Sequence, residues 1–289
     1  MPPRCHVIVN PTSGSFSKAS LDLALAALRE TGLDPLLLET ASAEDPARFA
    51  ARICAEEAAP LILVMGGDGT LNGVLNGLRP GVATLGVLPL GTANVLAREL
   101  KIRSLEDALG RIARAVSRPI SVGELECAGV RRRFLLMAGV GVDGQVVRGV
   151  RLAEKRLLGK GAYLLSALRV AGGWERGTLQ VTGAGRSVVC HSVIVCNAAR
   201  YGGDFLLAPE ADLFSPGFQV LCIEGGPLNY LKLALKLGLK RPVPGRFVTS
   251  FAASEVTVAG DKPVQLDGDY FGVAPLTLRS LGGFVRVIC

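Results

Sequence analysis

Features that mark several common protein classes are missing from this chain. There is no GxxxxGKS/T loop, which excludes a Walker-type phosphate site, and no GxGxxG, so dinucleotide redox binding is not indicated. Aromatic residues make up only 5% of the chain, which argues against a base-stacking surface for nucleic acid. No apolar run reaches the ~18 residues that a membrane-spanning helix needs. We therefore expect no nucleic-acid partner, and any membrane contact must be made from the surface.

Cysteine and histidine are poorly suited to a metal centre here. The 7 cysteines form no CxxC pair, and His6 and His191 are the only imidazoles, which argues against zinc. An odd number of cysteines without paired spacing is typical of a reduced, cytoplasmic protein. The first residues are polar and strand-like, with no apolar signal core. We expect a cytoplasmic location, peripheral to the inner face of the membrane if a lipid is the substrate.

The composition is that of a folded protein with one large domain or two. The chain has 289 residues, of which 49% are hydrophobic and 20% charged, so there is enough apolar material for sizeable cores. The formal net charge of +7 serves solubility or attracts an anionic partner, such as a nucleotide or an acidic membrane surface. Composition alone leaves both interpretations open.

Residues 1–118 alternate between strand and helix patterns. The predicted strands cover residues 5–9, 36–39, 61–65 and 83–88. The helical stripes begin near Leu21, Pro46, Leu71 and Leu105. Alternation with short connections predicts an α/β domain, with a mostly parallel sheet and helices on both faces.

Pro119 marks a change to a β-rich pattern. Short apolar runs separated by turn residues are found at Phe134–Ala138, Ser187–Cys196, Phe218–Ile223, Phe247–Phe251, Glu255–Val258 and Val264–Leu266. We therefore predict a second domain at 119–289, built as a β-sandwich or a strongly curved antiparallel sheet. Helical patterns interrupt it near 152–170 and 228–239. The last predicted strand, at 284–288, fits either domain.

The most informative segment is a strand, a glycine turn and a helix at residues 61–78. The apolar run Leu61–Met65 is followed by Gly66-Gly67-Asp68-Gly69-Thr70 and then by the helical stripe. Three glycines let the backbone turn tightly and approach a ligand, and the helix N-terminus offers unpaired N–H groups. This geometry suits a phosphate. Asp68 would oppose a bare phosphate but suits one that carries Mg²⁺.

Two further loops are expected at the same edge of the sheet. Asn10-Pro11-Thr12-Ser13-Gly14 follows the first strand, and Gly91-Thr92-Ala93-Asn94 follows the fourth. Loops after parallel strands share one edge, where ligands bind. Each of these loops carries glycine with a small hydroxyl or amide side chain, suited to phosphate and ribose oxygens. The first loop alone is better interpreted as an ordinary turn, but the three loops together predict a nucleotide site.

Together these segments resemble the catalytic family of diacylglycerol kinases, which includes bacterial lipid kinases, sphingosine kinases and ceramide kinases. The resemblance rests on Asn10-Pro11-x-Ser13-Gly14, on Gly66-Gly67-Asp68-Gly69-Thr70-Leu71-Asn72 and on Leu88-Pro89-Leu90-Gly91-Thr92-Ala93-Asn94. It implies an α/β nucleotide domain followed by a β-sandwich, with the active site in the cleft between them. It also implies ATP and Mg²⁺ as cofactors, nucleotide contacts for the three motifs and for Thr40, and a metal contact for Asp68.

The resemblance extends to the second domain. Asp267 in Leu266-Asp267-Gly268-Asp269 matches the family's general base, which would accept the proton of a lipid hydroxyl, and Asp269 stands where the family usually has Glu. Without the N-terminal motifs, Asp-Gly between strands would be better interpreted as a common hairpin turn. Asp143, with the segment 154–159, resembles the part that opens the lipid pocket and would contact the substrate head group, or it simply belongs to a strand-end turn. Val95 departs from the family by replacing an Asp of its metal-linked network.

A basic and apolar segment at 228–246 adds a candidate membrane contact. Lys232, Lys236 and Lys240 lie four residues apart beside a line of leucines, which suits an anionic membrane surface or a solvated surface helix. We therefore expect an ATP-dependent lipid kinase acting on diacylglycerol, a sphingoid base or ceramide, with homodimer formation left open. The alternatives are a kinase of a soluble nucleotide, in the manner of NAD kinase, and a nucleotide-binding regulator without catalysis.

Overall fold

The computed structural model describes residues 3–150, 161–239, 241, 243 and 245–289, and its N-terminal part is the predicted α/β domain. The strands run parallel in the order β2-β1-β3-β4. They are β1 (Arg4–Val9), β2 (Asp34–Glu39), β3 (Leu61–Gly66) and β4 (Thr84–Pro89). The helices are α1 (Lys18–Glu30), α2 (Asp45–Glu56), α3 (Asp68–Gly77), α4 (Val95–Glu99) and α5 (Leu105–Arg114). α2 packs against α3, and α1 against α5, so that β1 and β3 are buried from both sides.

The C-terminal part is mostly antiparallel. Its strands are β5 (Ser117–Cys127), β6 (Val130–Phe134), β7 (Met137–Val140), β8 (Leu179–Gly183), β9 (Arg186–Cys190), β10 (Ser192–Cys196), β11 (Arg200–Tyr201), β12 (Phe205–Leu206), β13 (Phe218–Ile223), β14 (Val248–Ala253), β15 (Glu255–Ala259), β16 (Pro263–Leu266), β17 (Asp269–Val273) and β18 (Leu276–Ile288). Its helices are α6 (Val142–Gly149), α7 (Gly161–Gly172) and α8 (Pro227–Gly238).

Two sheets pack face to face in this part, which confirms the predicted β-sandwich. One has the order β14-β13-β10-β7-β16-β17, and the other contains β18, β15, β8 and β9, with β5 and β6 attached. Their facing side chains, among them Phe134, Val181, Val220, Val256 and Val264, form a core of their own.

The last strand joins the two parts of the molecule. β18 pairs antiparallel with β5 and β15, while Arg286 and Val287 pair in parallel with Thr84 and Leu85 of β4. The parallel sheet of the first domain therefore continues directly into one sheet of the sandwich. This continuity fixes the carboxyl edge of the parallel sheet relative to the sandwich.

Two apolar runs expected as single strands are each divided in the structure. The run at 134–138 is interrupted at Leu135 and Leu136, whose N–H groups bond to a side chain instead of a neighbouring strand. The run at 187–196 is divided at His191, where the chain passes from one sheet of the sandwich to the other. Of the helix expected near 152–170, the structure describes α7, while the motif at 154–159 lies outside the described residues.

Candidate active site

Three loops meet at the carboxyl edge of the parallel sheet, because β1, β3 and β4 are neighbours in it. Backbone hydrogen bonds hold the loops together. The Asn10 N–H donates to the Met65 carbonyl (3.0 Å), the Leu90 N–H to the Gly66 carbonyl (2.9 Å), and the Ser15 N–H to the Leu90 carbonyl (2.9 Å). The structure thus brings the predicted motifs at 10–14, 66–70 and 91–94 to one place.

Glycines allow the close approach between these loops. A β-carbon on Gly91 would lie 2.6 Å from the Cα atom of Gly67, which is too close for any side chain. A β-carbon on Gly14 would lie 3.1 Å from Oγ1 of Thr92. A larger residue at position 91 would therefore push the second and third loops apart.

The N-terminus of α3 is open to a ligand. Its N-cap is Gly67, and no side chain caps the first turn. Gly69 is exposed, with open space beside it. Nearby, the Asn10 amide donates to the Thr70 hydroxyl (Nδ2–Oγ1 3.3 Å) and its oxygen accepts the Thr12 N–H (2.9 Å). The first turn therefore presents backbone donors and a positive dipole end that suit a phosphate group.

Asp68 connects the second loop to the third. Its two oxygens accept the N–H groups of Val95 (3.0 Å) and Leu96 (3.1 Å) at the start of α4. The Val95 side chain is buried, and its backbone N–H is one of the two donors to Asp68. Asn94, in the left-handed region at φ 47°, closes the third loop through hydrogen bonds with both backbone groups of Gly91. Asn94 therefore shapes the loop.

Two predicted nucleotide residues do not face this edge. Leu71 is buried in the core, and its N–H donates to the Gly67 carbonyl (3.1 Å), so neither its side chain nor its N–H is available. Asn72 is buried one position further along α3 and contacts the second domain. Thr40 stays at the edge beside β1, where its N–H bonds to the Val9 carbonyl (2.9 Å).

The carboxylate of Asp267 is partly buried at the junction of the two domains. Its Oδ1 accepts the N–H groups of Leu136 (2.8 Å) and Met137 (3.0 Å), and its Oδ2 accepts the N–H of Leu135 (2.7 Å). Oδ2 also accepts the side-chain amide of Asn72 at 2.8 Å. The backbone donors are the groups left free where β6 ends and β7 begins. The interruption of the strand therefore creates a site for one carboxylate.

Burial raises the pKa of Asp267 from 3.8 to about 6, although the donated hydrogen bonds act in the opposite direction. The residue has a left-handed backbone, with φ 48°, as the tight turn before Gly268 requires. A carboxyl group that titrates close to neutrality is suited to accept and release a proton. Asp269, by contrast, is exposed at the start of β17.

A second carboxylate, this one buried, lies behind the Asp267 turn. Asp143, in the first turn of α6, accepts hydrogen bonds from the Tyr201 hydroxyl and from Nε2 of Gln265 (2.6 Å). Oε1 of Gln265 accepts the N–H of Gly268 (2.7 Å). Burial raises the pKa of Asp143. Both of its oxygens are engaged by protein donors, so Asp143 supports the turn from inside the domain.

The sequence did not reveal the residues that support Asp267. Gln265 carried one usable signal, because it is a polar residue within the short apolar run Val264–Leu266. Tyr201 carried none, since it lies in a short hairpin far from Asp143 in the chain. Asn72 was assigned to the nucleotide because of the motif that contains it, but its position on α3 turns it toward the sandwich.

No group of three or more His, Cys, Asp or Glu side chains is arranged as a metal site within the residues that the structure describes. Across the same part of the chain, no helix is long and apolar enough to cross a membrane. Asp68 is the acid within the three loops, and it lies in the first turn of α3, beside the open N-terminus of this helix.

Comparison with known proteins places this geometry in a family. The family model of the diacylglycerol kinase catalytic domain matches residues 4–125, and that of the YegS C-terminal NAD kinase beta sandwich-like domain matches residues 137–289. The chain belongs to the diacylglycerol kinase catalytic family. As a member of this family, the protein is a lipid kinase, a phosphotransferase.

Individual relatives match over nearly the whole length. The diacylglycerol kinase of Bacillus subtilis (strain 168) is 28% identical, with 99% of this chain and 96% of the relative covered. The diacylglycerol kinase of Staphylococcus aureus (strain JH9) is 27% identical, with 98% and 91% covered. The crystal structure of a diacylglycerol kinase from Bacillus anthracis (strain Sterne) has a TM-score of 0.75 at 20% identity, covering 99% of this chain and 96% of that one. The structural match supports the two-domain fold.

Proposed function

We propose that this kinase transfers the γ-phosphate of ATP to the free hydroxyl of a membrane lipid, and that diacylglycerol is this lipid. The observation that carries the proposal is the 2.8 Å hydrogen bond between Asn72 and Asp267. It joins α3, which follows the proposed phosphate-binding loop, to a partly buried carboxylate of the second domain. The proposed site of the phosphate donor and the proton acceptor are thereby held close together, as phosphoryl transfer to a hydroxyl requires.

The nucleotide phosphates would lie at the N-terminus of α3. The N–H groups of residues 66–70 would bind them, with the side chains of Asn10, Ser13 and Thr92 close by. Each oxygen of Asp68 accepts a single N–H and keeps a further lone pair, so the carboxylate fits a Mg²⁺ ion carried by the phosphates. Such an ion would neutralise charge on the transferred phosphoryl group.

Asp267 would act as the general base. As the lipid oxygen forms its bond to the γ-phosphorus and the bond to ADP breaks, the hydroxyl proton passes to Oδ2. Asn72 is the side-chain donor among the four groups bonded to this carboxylate, and the other three are backbone N–H groups fixed by the fold. We therefore infer that the lipid hydroxyl takes the place of the Asn72 amide at Oδ2.

The surroundings of Asp143 favour diacylglycerol over a sphingoid base. An exposed acid near the lipid pocket would attract the amine of a sphingoid head group. Asp143 is buried, and both of its oxygens are engaged by Tyr201 and Gln265. Diacylglycerol has no charge that needs a partner, and the relatives described above carry its name.

Phosphate transfer from labelled ATP with Mg²⁺ tests the proposal directly. Mixed micelles would present diacylglycerol, ceramide or sphingosine, and NAD would be tested in parallel. We expect label in diacylglycerol. Label in ceramide or sphingosine would overturn the substrate, and label in NAD alone would support a soluble-nucleotide kinase. ATP binding without transfer to any acceptor would support a regulator that lacks catalysis.

A further inference from the structure

Helix α8 is apolar on two opposite faces. Leu233 is buried, and Tyr230 and Leu237 pack against the core. On the other side, Leu228, Leu231 and Leu235, with Leu239 just beyond the helix end, are each more than half exposed. They recur every three or four residues and therefore form one stripe. A surface helix normally carries polar side chains on this face, so an exposed line of leucines calls for a partner.

A second element next to α8 also exposes apolar side chains. The β11–β12 hairpin lies beside α8, and Phe205 and Leu206 at its end are close to half exposed. These residues come from a different part of the chain than the leucine stripe. We call the leucine stripe together with Phe205 and Leu206 the apolar face.

Positive charge flanks the apolar face. The chain from 227 to 246 contains no Asp or Glu, and its charged residues are Lys232, Lys236, Lys240, Arg241 and Arg246. Lys232 and Lys236 lie four residues apart on α8, to the side of the leucine stripe. Lys232, Arg241 and Arg246 are exposed, whereas the Lys236 ammonium lies over the Phe247 ring, 5.6 Å from its centre.

We propose that the apolar face docks the protein onto an anionic lipid bilayer, with its leucines among the acyl chains and the flanking cations at the lipid head groups. This inference rests on the proposed function, since it gives the lipid substrate a route to the enzyme. Leucines beside lysines on one helix are the pattern of an interfacial helix. A second copy of the chain fits the surface less well, because a two-fold contact would bring the same cations close together.

The position of the hairpin connects the apolar face to the catalytic turn. Tyr201 in the hairpin bonds to Asp143, which is linked through Gln265 to Gly268, next to Asp267. On the other side, Asp204 forms an ion pair with Arg98 of α4 (2.5 Å), beside the third nucleotide loop. A bilayer on this face therefore lies next to elements that contact both halves of the site.

Vesicle co-sedimentation tests the docking surface. Vesicles of phosphatidylglycerol and phosphatidylcholine would be compared with phosphatidylcholine alone, using the full chain and a Leu231→Asn/Leu235→Asn variant. We expect binding to the anionic vesicles to fall at least tenfold in the variant and to be weak without phosphatidylglycerol. Lys232→Glu should weaken binding in the same direction. Leu23→Asn, on an almost half-exposed leucine of α1, is the matched control and should bind like the unmodified protein.

A second measurement separates docking from catalysis. With a water-soluble, short-chain diacylglycerol, the Leu231→Asn/Leu235→Asn variant should keep the activity of the unmodified protein, whereas its activity on vesicle-borne lipid should fall with binding. Unchanged vesicle binding in this variant would overturn the docking surface. A dimer in sedimentation equilibrium that the same variant dissociates would assign the face to a second copy. Vesicle binding without kinase activity would contradict the proposed function alone and leave the surface in place.

Discussion

The side-chain amide of Asn72 donates to Oδ2 of Asp267 across 2.8 Å, from one domain to the other. Asn72 belongs to α3, the helix whose N-terminus is the proposed phosphate site, and Asp267 belongs to a turn of the sandwich. The same carboxylate is held by three backbone N–H groups at the break between β6 and β7. This bond therefore couples α3 directly to the carboxylate, in addition to the hydrogen bonds between Asn76 and Arg133 and the pairing of β18 with β4.

Replacing Asn72 with alanine tests this coupling. The variant loses the hydrogen bond to the Asp267 carboxylate, a second one to the Arg133 carbonyl and the one that Oδ1 of Asn72 accepts from Asn76, so the free energy of unfolding should fall by about 1.5–3 kcal/mol or more. We expect kcat to fall about tenfold, because Oδ2 is no longer held in place before the lipid hydroxyl takes the position of the amide. Urea unfolding and steady-state kinetics measure these effects. Asn76→Ala is the comparison, since Asn76 bonds to the Arg133 backbone and to Oδ1 of Asn72 (3.0 Å) but not to Asp267, and its loss of kcat should be smaller. An equal loss of kcat in both variants would contradict a special role for Asn72.

Asp267→Asn should abolish activity and also weaken the fold. In either orientation the new amide nitrogen would face two donors, the Leu135 N–H and the Asn72 amide on one side or the N–H groups of Leu136 and Met137 on the other, so the free energy of unfolding should fall by about 2–4 kcal/mol. Adding Asn72→Asp restores a donor and acceptor pair across the junction. We expect the double variant to regain part of the stability, measured by urea unfolding, and none of the kinase activity. Recovered activity in the double variant would mean that Asp267 serves the structure and not proton transfer.

The pH dependence follows from the pKa of Asp267. Its value is raised to about 6, and the base must be ionised to take a proton, so kcat/KM should be constant above this pH and fall about tenfold per unit below it. Asn72 donates a bond that lowers this pKa, so Asn72→Ala should move the acidic limb to higher pH. Kinetics with a soluble lipid substrate measure the acidic limb for the unmodified protein and for the Asn72→Ala variant. A profile that stays flat down to pH 4.5 would contradict the assignment of Asp267 as base.

Asp68 should act mainly on the magnesium complex of the nucleotide. Asp68→Asn keeps one acceptor for the N–H groups of Val95 and Leu96 but removes the negative charge. We expect binding of ATP with Mg²⁺ to weaken about tenfold or more, because a carboxylate oxygen is a preferred ligand of Mg²⁺. Calorimetric titration with Mg²⁺ and with EDTA measures the difference. Equal weakening in both conditions would show that Asp68 only shapes the loop.

The sequence predicted the fold well because its signals there are local. The alternation of 1–118 and the glycine motifs each lie within a few residues of the structure they form, and parallel strands bring their loops to one edge without further information. The surroundings of Asp267 are not local. The run Phe134–Ala138 has the composition of one strand, and only the distant carboxylate of Asp267 shows why it breaks. In the same way, Asp143 looked available to a head group until Tyr201 and Gln265 were found to engage it.

Gln265 should act as a positioning residue for the catalytic turn. Gln265→Leu keeps the approximate shape of the side chain but leaves the Gly268 N–H and one oxygen of Asp143 without this partner. The free energy of unfolding should therefore fall by about 1–3 kcal/mol. Because Gly268 follows Asp267, we expect kcat to fall several-fold while KM for ATP stays unchanged, since the nucleotide loops lie on the other domain. Gln219→Leu is the control, as Gln219 is another buried glutamine of the sandwich, bonded to Ser250. The kcat of the Gln219 variant, corrected for the folded fraction, should match that of the unmodified protein. If the kcat of the Gln265 variant also matches it, the network around Gln265 contributes to stability and not to catalysis.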